Sequence, residues 1–247
     1  LLHAQWENGM IPSMVHVRSD LRAKEARREL WRALKRLHFI KAFKTIFKII
    51  SYRFQDKFFG VIHSKDTYSS GITQPPLIAD AVWKIYEKTP DKNEGRKFLE
   101  ETFGSMCDYY NWLDRERDKD KDGLITIYHS WETGADNSPR FDPIYGAVPK
   151  KFREWSYNLL YKFPVMQILK ETDFKSSPFK CEAIDMNCYY YKNLKTLAKI
   201  AEELGENETA QTLLKRTDKT KKAILTKLWD KENEMFCDLG VIKGRKT

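Results

Sequence analysis

Residues 129–142 contain the densest group of side chains that could do chemistry. They read His-Ser-Trp-Glu-Thr-Gly-Ala-Asp-Asn-Ser-Pro-Arg-Phe-Asp and include three carboxylates, Glu132, Asp136 and Asp142. No apolar period of 3.6 or 2 runs through the stretch, so core packing does not explain its composition. Its Gly and Pro favour an irregular backbone, and catalytic groups are often found on such loops. The alternative interpretation is a polar connector with a capping Asp.

Paired carboxylates beside aromatic rings are typical of glycoside hydrolysis, in which one group acts as the acid and the other as base or nucleophile. The acid needs a raised pKa, which burial against rings can supply. We predict Asp136 as the acid because Asn137 and Ser138, directly after it, offer an amide and a hydroxyl that could orient it. Two further polar turns, at 6–8 and 72–74, would meet this loop if the helices between them form hairpins.

The elements that must position these loops are predicted to be helices, with almost no strands. Apolar residues recur every three or four positions over 20–50, which predicts one long amphipathic helix or two in succession. Further helices are predicted from Pro75 to Lys88 and over 94–117, 149–171, 181–204 and 207–229. The expected fold is an all-α protein of paired antiparallel helices, with polar connections at one end.

The net charge of +9 is concentrated in one part of the chain. Residues 18–65 hold fourteen Lys/Arg and four Asp/Glu, a balance of +10, and the remainder sums to −1. The pI therefore gives no reason to expect nucleic-acid binding by the whole protein. For residues 18–65 three interpretations stay open: a solvated outer helical face, a lid over a cleft, or an anionic-surface-binding helix.

Four widely spaced cysteines, with no Cys-x-x-Cys, suit free thiols in a reducing compartment, and we expect a cytoplasmic protein. No apolar run of 18 residues and no signal peptide is recognisable. Asp118, Asp120 and Asp122, followed by Gly123, copy the first half of a calcium loop. Its twelfth position is His129 rather than Glu, so we expect an Asp-rich turn and no metal or other cofactor, with structural calcium as the alternative.

Four sequence motifs, in the same order along the chain, resemble those of glycoside hydrolase family 63 and its trehalase-like relatives. They are Gln-Trp-Glu-Asn-Gly-Met-Ile-Pro at 5–12, Gly-Ile-Thr-Gln-Pro-Pro at 71–76, the stretch 129–142, and Asp-Met-Asn followed by Tyr-Tyr-Tyr-Lys-Asn-Leu within 185–194. The resemblance spans the chain except for residues 18–65, which then read as a basic amphipathic helical insertion into a partial catalytic domain covering 1–247.

The resemblance implies an (α/α)6 barrel, built from six helical hairpins, and an inverting α-glycosidase of small α-glucosides or α-mannosides. It implies that Asp136 is the general acid. It also implies a sugar site lined by residues at several of the motif positions, and we predict these as Trp6, Glu7, Asn8, Gln74, His129, Trp131, Glu132, Asn137 and Arg140. For Glu132 two other interpretations stay open, a carboxylate that holds an arginine and a simple turn residue. Glu182 and Asp185 are predicted to cap or pair at a helix start, and as an alternative Asp185 and Asn187 could support the wall of the site.

The chain also departs from the family's pattern. Ser13 stands where relatives usually have His, with His16 three residues later. The family's first aromatic-Trp-Asp motif and its general-base Glu have no counterpart here, so we expect a barrel fragment, or a barrel completed by a partner. The alternative function is a non-catalytic half-barrel that binds carbohydrate or an anionic surface. No transmembrane segment is expected.

Overall fold

The computed structural model of the chain is mainly helical. It describes residues 2–13, 15–17, 19–36, 38, 41, 43–46, 49, 62–64, 67–69, 72–136, 138–145, 179–240 and 245–246. The α-helices whose two ends are both described are α1 (Ser19–Lys35), α2 (Ile78–Lys88), α3 (Lys92–Glu116), α4 (Asp142–Tyr145), α5 (Ile184–Leu204) and α6 (Asn207–Ala223). Short 3-10 helices cover Leu2–Ala4, Ser130–Thr133 and Pro139–Phe141, and a π-helical turn, Ile224–Leu228, extends α6.

The strands of the described residues are only two or three residues long. They are β1 (Val15–Val17), β2 (Ile62–Ser64), β3 (Thr67–Ser69), β4 (Cys181–Glu182), β5 (Trp229–Asp230), β6 (Met235–Phe236), β7 (Leu239–Gly240) and β8 (Arg245–Lys246). They pair antiparallel in the orders β1-β3-β2, β4-β7-β8 and β5-β6. The expectation of a helical protein with little sheet agrees with this architecture.

The main core lies where α2, α3 and α5 pack against one another, with α6 against α5. Along α5 the fully or almost fully buried residues Met186, Tyr190, Leu194, Leu197 and Ala201 recur at spacings of three and four. This spacing places them on one helical face, and burial of such a face is the main stabilising term for a helix of this kind. The resulting bundle fixes the helix ends from which the polar loops emerge.

Several predicted boundaries need correction. The helix predicted from Pro75 begins only at Ile78, because Pro75 and Pro76 precede its first turn. The helix predicted over 181–204 begins at Ile184, because residues 181–182 pair as β4 instead. The helix predicted to 229 has ended by then, since Trp229 begins a strand. The start of α3 is earlier than predicted, because the Asp91 carboxylate accepts hydrogen bonds from the backbone N–H of residues 93 and 94.

In the basic segment, the helix α1 ends at Lys35, and helical conformation resumes at residue 41, which favours two helices over one. The segment is not wholly helical, because β2 lies within it. Strands β1 and β3 pair across its two ends, with Val15 opposite Ser69 and Val17 opposite Thr67. Its assignment as an insertion stays a prediction. The helix predicted over 149–171 lies outside the described residues.

All four cysteines fall in the described part of the chain and are free thiols. Only Cys181 is buried; Cys107 and Cys237 are half-buried and Cys188 is exposed. Their free state agrees with the sequence, whereas burial, which the apolar context of most of them also suggests, holds only for Cys181. Among the described residues, no helix combines the length and the apolar character needed to cross a membrane.

Candidate active site

The structure brings the three predicted polar loops together. Pro12 forms an antiparallel bridge with Thr73, and the Ser13 N–H donates to the Ile72 carbonyl at 2.8 Å. The Thr73 N–H in turn donates to Glu132 Oε1 at 3.3 Å. The turn at 6–13, the segment 72–74 and the stretch 129–142 therefore meet at one place, as the hairpin arrangement predicts.

Glu132 lies at the centre of this junction, fully buried. Its carboxylate accepts from both terminal nitrogens of Arg117, at 2.7 and 3.2 Å, and from the backbone N–H of Tyr128 at 3.0 Å, besides that of Thr73. The Arg117 guanidinium, 2% exposed, also lies over the rings of Trp112 at 5.0 Å and Tyr128 at 4.4 Å. The predicted direct contact of Glu132 with sugar does not fit this burial; the alternative role, holding an arginine, does.

Arg117 was missed by the sequence reasoning. It lies in the run Arg-Glu-Arg at the end of α3, a composition typical of a solvated helix end. Its position becomes clear only when the next segment folds back, with the Thr126 N–H donating to the Arg117 carbonyl at 2.9 Å. The aromatic residues at 112 and 128, which stack on it, are the only signal that the sequence offered.

His129 and Trp131 open the 3-10 turn that follows. The His129 Nδ1 accepts from the Trp131 N–H at 3.2 Å, so the neutral ring has its proton on Nε2. Burial lowers the pKa of His129 to about 4, which keeps the ring neutral near pH 7. The rings of the two residues meet edge to face at 4.8 Å, and Trp131 packs against the buried Ile72 and Tyr128. Their predicted contacts with sugar stay predictions.

Asp136 lies beyond this turn, with its side chain exposed. Gly134 ends the turn at a φ of +74°, a conformation that favours glycine. The Ser130 hydroxyl then donates to the Asp136 carbonyl at 2.9 Å, and Thr133 Oγ1 accepts from the Ala135 N–H at 3.0 Å. Although the residue is exposed overall, partial burial of its carboxyl raises the pKa of Asp136 above its usual value, and a backbone hydrogen bond acts in the opposite direction. The backbone at Asp136 is thus fixed by Ser130; Asn137, predicted to orient it, lies outside the described residues.

Arg140 joins the loop to the start of α5. One terminal nitrogen lies 2.5 Å from Asp185 Oδ2, its Nε lies 3.5 Å from Asp238 Oδ2, and the guanidinium lies over the Phe141 ring at 4.4 Å. Asp238, 2% exposed, also accepts from the Ile184 N–H at 2.8 Å. Arg140 is half-buried among acidic partners, so its immediate role is to position the loop. Its predicted place in the sugar site is untested.

The support of the sugar-site wall by Asp185 and Asn187 stays a prediction, but both residues hold neighbouring segments in place. Asp185 is the partner of Arg140, and the buried Asn187 makes two hydrogen bonds with the backbone of Ile125, at 2.7 Å to its N–H and 3.1 Å to its carbonyl. The first turn of α5 thus holds the apolar run that leads into the stretch 129–142.

The remaining predicted sugar contacts lie on the other two loops. Glu7 and Asn8 are exposed, and Trp6 is half-buried against the main core. The Asn8 Oδ1 accepts from the backbone N–H two residues later, at 3.0 Å, which shapes the turn. Gln74 is half-buried, and its carbonyl accepts from the Tyr109 hydroxyl at 2.9 Å. The loops are therefore anchored through their backbones, and the ligand role of these four side chains stays a prediction.

Comparison with known proteins identifies glycoside hydrolases that are similar to this chain in structure and in sequence. The crystal structure of a GH63 mannosylglycerate hydrolase from Thermus thermophilus, in complex with Tris, matches with a TM-score of 0.61 and 27% identity, over 72% of this chain and 48% of that one. A mannosylglycerate hydrolase sequence, also from Thermus thermophilus, is 28% identical over 200 residues, 71% of this chain and 47% of that protein. The glucosylglycerate hydrolase of Mycolicibacterium hassiacum is 39% identical over 97 residues, 37% of this chain and 22% of that protein.

The fold is that of a helical barrel domain of the glycoside hydrolase type. The family described as the mannosylglycerate hydrolase MGH1-like glycoside hydrolase domain matches residues 1–247, and the chain belongs to this family. The prediction of an all-α, (α/α)6 fold present in part is confirmed, as is the resemblance to family 63. The chain spans about half the length of the curated relatives it matches first.

Proposed function

We propose that this chain supplies the general acid of an inverting α-glycoside hydrolase acting on a small α-mannoside or α-glucoside. Asp136 would protonate the oxygen of the leaving group. A Glu outside this chain would activate the attacking water on the opposite face of the sugar ring. The observation that carries the proposal is the place of Asp136, an exposed carboxyl on a loop whose backbone is fixed by buried groups.

The electrostatics favour Asp136 as an acid. A general acid must hold its proton when the substrate binds, and its efficiency is greatest when its pKa lies near the working pH. Partial burial of the Asp136 carboxyl shifts its pKa upward, the direction that this role needs. Glu132, the other carboxylate of the same turn, is bound to a buried arginine and is not placed to donate a proton to a ligand.

The names of the relatives suggest a class of substrate. Their names give mannosylglycerate and glucosylglycerate as substrates, an α-linked hexose on a small organic acid. We infer a substrate of this size and class for the present protein, with the hexose against the junction of the three loops. Trp131 and Trp6, each half-buried, could offer ring faces for the apolar side of a sugar.

The test uses the full-length protein with mannosylglycerate and glucosylglycerate as separate substrates. Proton NMR during the first turnovers reports the anomer released, and we expect the β-anomer from an α-linked substrate. Replacing Asp136 by Asn should lower kcat by about 10²–10⁴-fold, the usual contribution of a general acid. The matched control is Asp218→Asn on the exposed face of α6, which should leave kcat unchanged. Release of the α-anomer would refute inversion, and full activity of Asp136→Asn would refute the acid assignment.

One observation favours the second candidate function, binding of an anionic surface by the basic segment. On α1, Trp31 is 66% exposed and Leu34 is 43% exposed, among arginines and lysines of the same helix. A basic helix with exposed apolar residues can lie on a membrane surface. Co-sedimentation with vesicles of phosphatidylserine should then fall as salt is raised and fall further in Trp31→Ala. No binding at low salt would exclude this role.

A further inference from the structure

A cavity in the basic segment shares no lining residue with the three loops of the candidate active site. Its volume is about 720 Å³, and it is lined by α1 and by the residues directly after that helix. Cavities that hold small molecules in proteins commonly measure about 300–1,000 Å³. Most of the side chains that line this one are charged, and the basic ones are Arg28, Arg32, Arg36, His38 and Lys41. The cavity therefore has the size and the composition of a site for a small anion.

The spacing of the basic residues explains why they meet at one cavity. Arg28 and Arg32 are four residues apart, so they lie on one face of α1. Arg36 continues that row, because its N–H donates to the Arg32 carbonyl at 3.3 Å, as in a further helical turn. The chain then turns back, with the His38 N–H donating to the Ala33 carbonyl at 2.9 Å. This turn places the His38 side chain at the same cavity as the row of arginines.

The far wall of the cavity is tied to α1. Lys41 begins the next helical stretch, and its carbonyl accepts from the hydroxyl of the buried Thr45 at 2.7 Å. The Lys41 Nζ lies 3.9 Å from Glu29 Oε1 on α1. The buried Ala33 also lines the cavity, and its single methyl group leaves the space between larger side chains open. Both walls are thus positioned by contacts within the chain.

The cations at the cavity outnumber the carboxylates. Four of the lining side chains carry a positive charge and two, Glu25 and Glu29, a negative one, which leaves +2 with the histidine counted as neutral. Within the part of the chain that the structure describes, no carboxylate oxygen lies within 4.0 Å of a guanidinium nitrogen of Arg28, Arg32 or Arg36. The row of arginines can therefore donate hydrogen bonds to a ligand without first giving up a carboxylate partner.

We propose that this cavity binds a phosphate-bearing anion. A guanidinium presents two parallel N–H donors that match two phosphate oxygens, and arginine is favoured wherever phosphate is recognised in this way. A phosphate monoester carries a charge of about −1.5 to −2 at pH 7, which balances the excess positive charge of the cavity. The proposal does not depend on Asp136, so its test needs no turnover of a glycoside.

The phosphate could belong to a soluble ester or to a lipid headgroup, and the same chemistry recognises both. Exposed apolar side chains accompany the cavity on both helical stretches: Trp31 and Leu34 on α1, and Phe43 and Ile46 after Lys41. Such side chains can enter a membrane interface beside a bound headgroup. With a lipid as the source, the proposal rests on the surface-binding role given above as the second candidate function. With a soluble ester it is independent of that role.

The experiment uses the full-length protein and two kinds of probe. Isothermal titration calorimetry measures binding of phenyl phosphate, a soluble monoester, with the dicarboxylate succinate as the chemical control. Co-sedimentation compares phosphatidylcholine vesicles that contain phosphatidate with vesicles that contain phosphatidylserine at matched surface charge. Arg28→Gln and Arg32→Gln each remove an exposed lining cation, and the matched control is Arg27→Gln, exposed on α1 but not part of the cavity. Thermal melting of each variant checks that the fold is kept.

We expect one phenyl phosphate per chain, or a preference for phosphatidate over phosphatidylserine vesicles if the source is a lipid. Arg28→Gln and Arg32→Gln should each weaken that binding by about tenfold or more, because a hydrogen bond to a charged group contributes about one to two powers of ten in affinity. Arg27→Gln should leave the phenyl phosphate affinity and the preference for phosphatidate unchanged.

Three results would overturn the proposal. The first is no binding of millimolar phenyl phosphate together with no preference for phosphatidate. The second is an equal affinity for succinate, which would remove the assignment to phosphate. The third is an equal loss of binding in Arg27→Gln, which would indicate a general effect of charge on α1. Binding to both kinds of vesicle without a preference would overturn the phosphate site and leave the second candidate function standing.

Discussion

Replacing Glu132 by Gln tests whether one buried ion pair holds the three loops of the candidate site together. The carboxylate accepts four hydrogen bonds, two from Arg117 and one each from the N–H groups of Thr73 and Tyr128, over 2.7–3.3 Å. Gln keeps a single acceptor oxygen and turns a donor group toward those N–H groups. It also leaves the Arg117 charge without a counterion at 2% exposure. Breaking a buried pair from one side in this way costs about 3–5 kcal/mol.

In a protein of this size each kcal/mol corresponds to about 2–4 °C in Tm, so Glu132→Gln should lower Tm by roughly 6–20 °C. The matched control, Glu100→Gln, removes an ion pair of similar length, 3.1 Å to Arg96, whose side chains are 55% and 46% exposed. That change should cost at most about 1 kcal/mol. Thermal melts followed by circular dichroism compare the two variants. Equal shifts in Tm would refute the structural role assigned to the Glu132–Arg117 pair.

Three further predictions concern the buried ring of His129, the contrast between Gly9 and Gly104, and the two carboxylate contacts of Arg140. Burial lowers the pKa of His129 to about 4, so the folded chain should lose stability as pH falls from 6.5 toward 4, by about 3 kcal/mol in all. His129→Gln should flatten that part of the curve of unfolding free energy against pH; an unchanged slope would contradict a buried neutral ring. Gly9→Ala should destabilise the chain by more than about 1 kcal/mol, because φ is +100° and a Cβ would lie 2.5 Å from a backbone oxygen of α3. Gly104 lies in α3, and a Cβ there meets no described atom within 4 Å. Gly104→Ala should therefore stabilise the chain by about 0.5–1 kcal/mol. Urea unfolding compares the two variants, and equal changes in the free energy of unfolding for Gly9→Ala and Gly104→Ala would contradict this account. Arg140→Lys should destabilise by about 1–3 kcal/mol because lysine cannot serve both carboxylates, and adding Asp238→Asn should restore part of that loss. Failure of that restoration would show that the Asp238 contact is unimportant.

The sequence predicted the helices well where one face is buried. The apolar spacing of α5 is a local signal, and it predicted that helix, whereas the cap at Asp91 was overlooked and α3 begins two residues before its predicted start. The helix start at Pro75 was predicted wrongly because proline is compatible with a first helical turn. Here both Pro75 and Pro76 lie just before that turn. Residues 181–182 were misread as helix because their strand partners lie more than fifty residues away, at Leu239 and Gly240.

The sequence predicted which residues the candidate site contains, but not which of them are buried or which pair with one another. The polar stretch 129–142 stands out in the sequence, yet nothing local distinguishes the buried Glu132 from the exposed Asp136. Burial is decided by Arg117 and by the segment 72–74, which approach only when the chain folds.

The most direct test of the central claim compares two substrates in the Asp136→Asn variant of the full-length protein. Mannosylglycerate has a poor leaving group that needs a proton, whereas α-mannosyl fluoride has one that leaves without it. If Asp136 is the general acid, kcat/KM should fall by about 10²–10⁴-fold for mannosylglycerate and by less than about tenfold for the fluoride. An equal fall for both substrates, or no fall for mannosylglycerate, would contradict the assignment of Asp136.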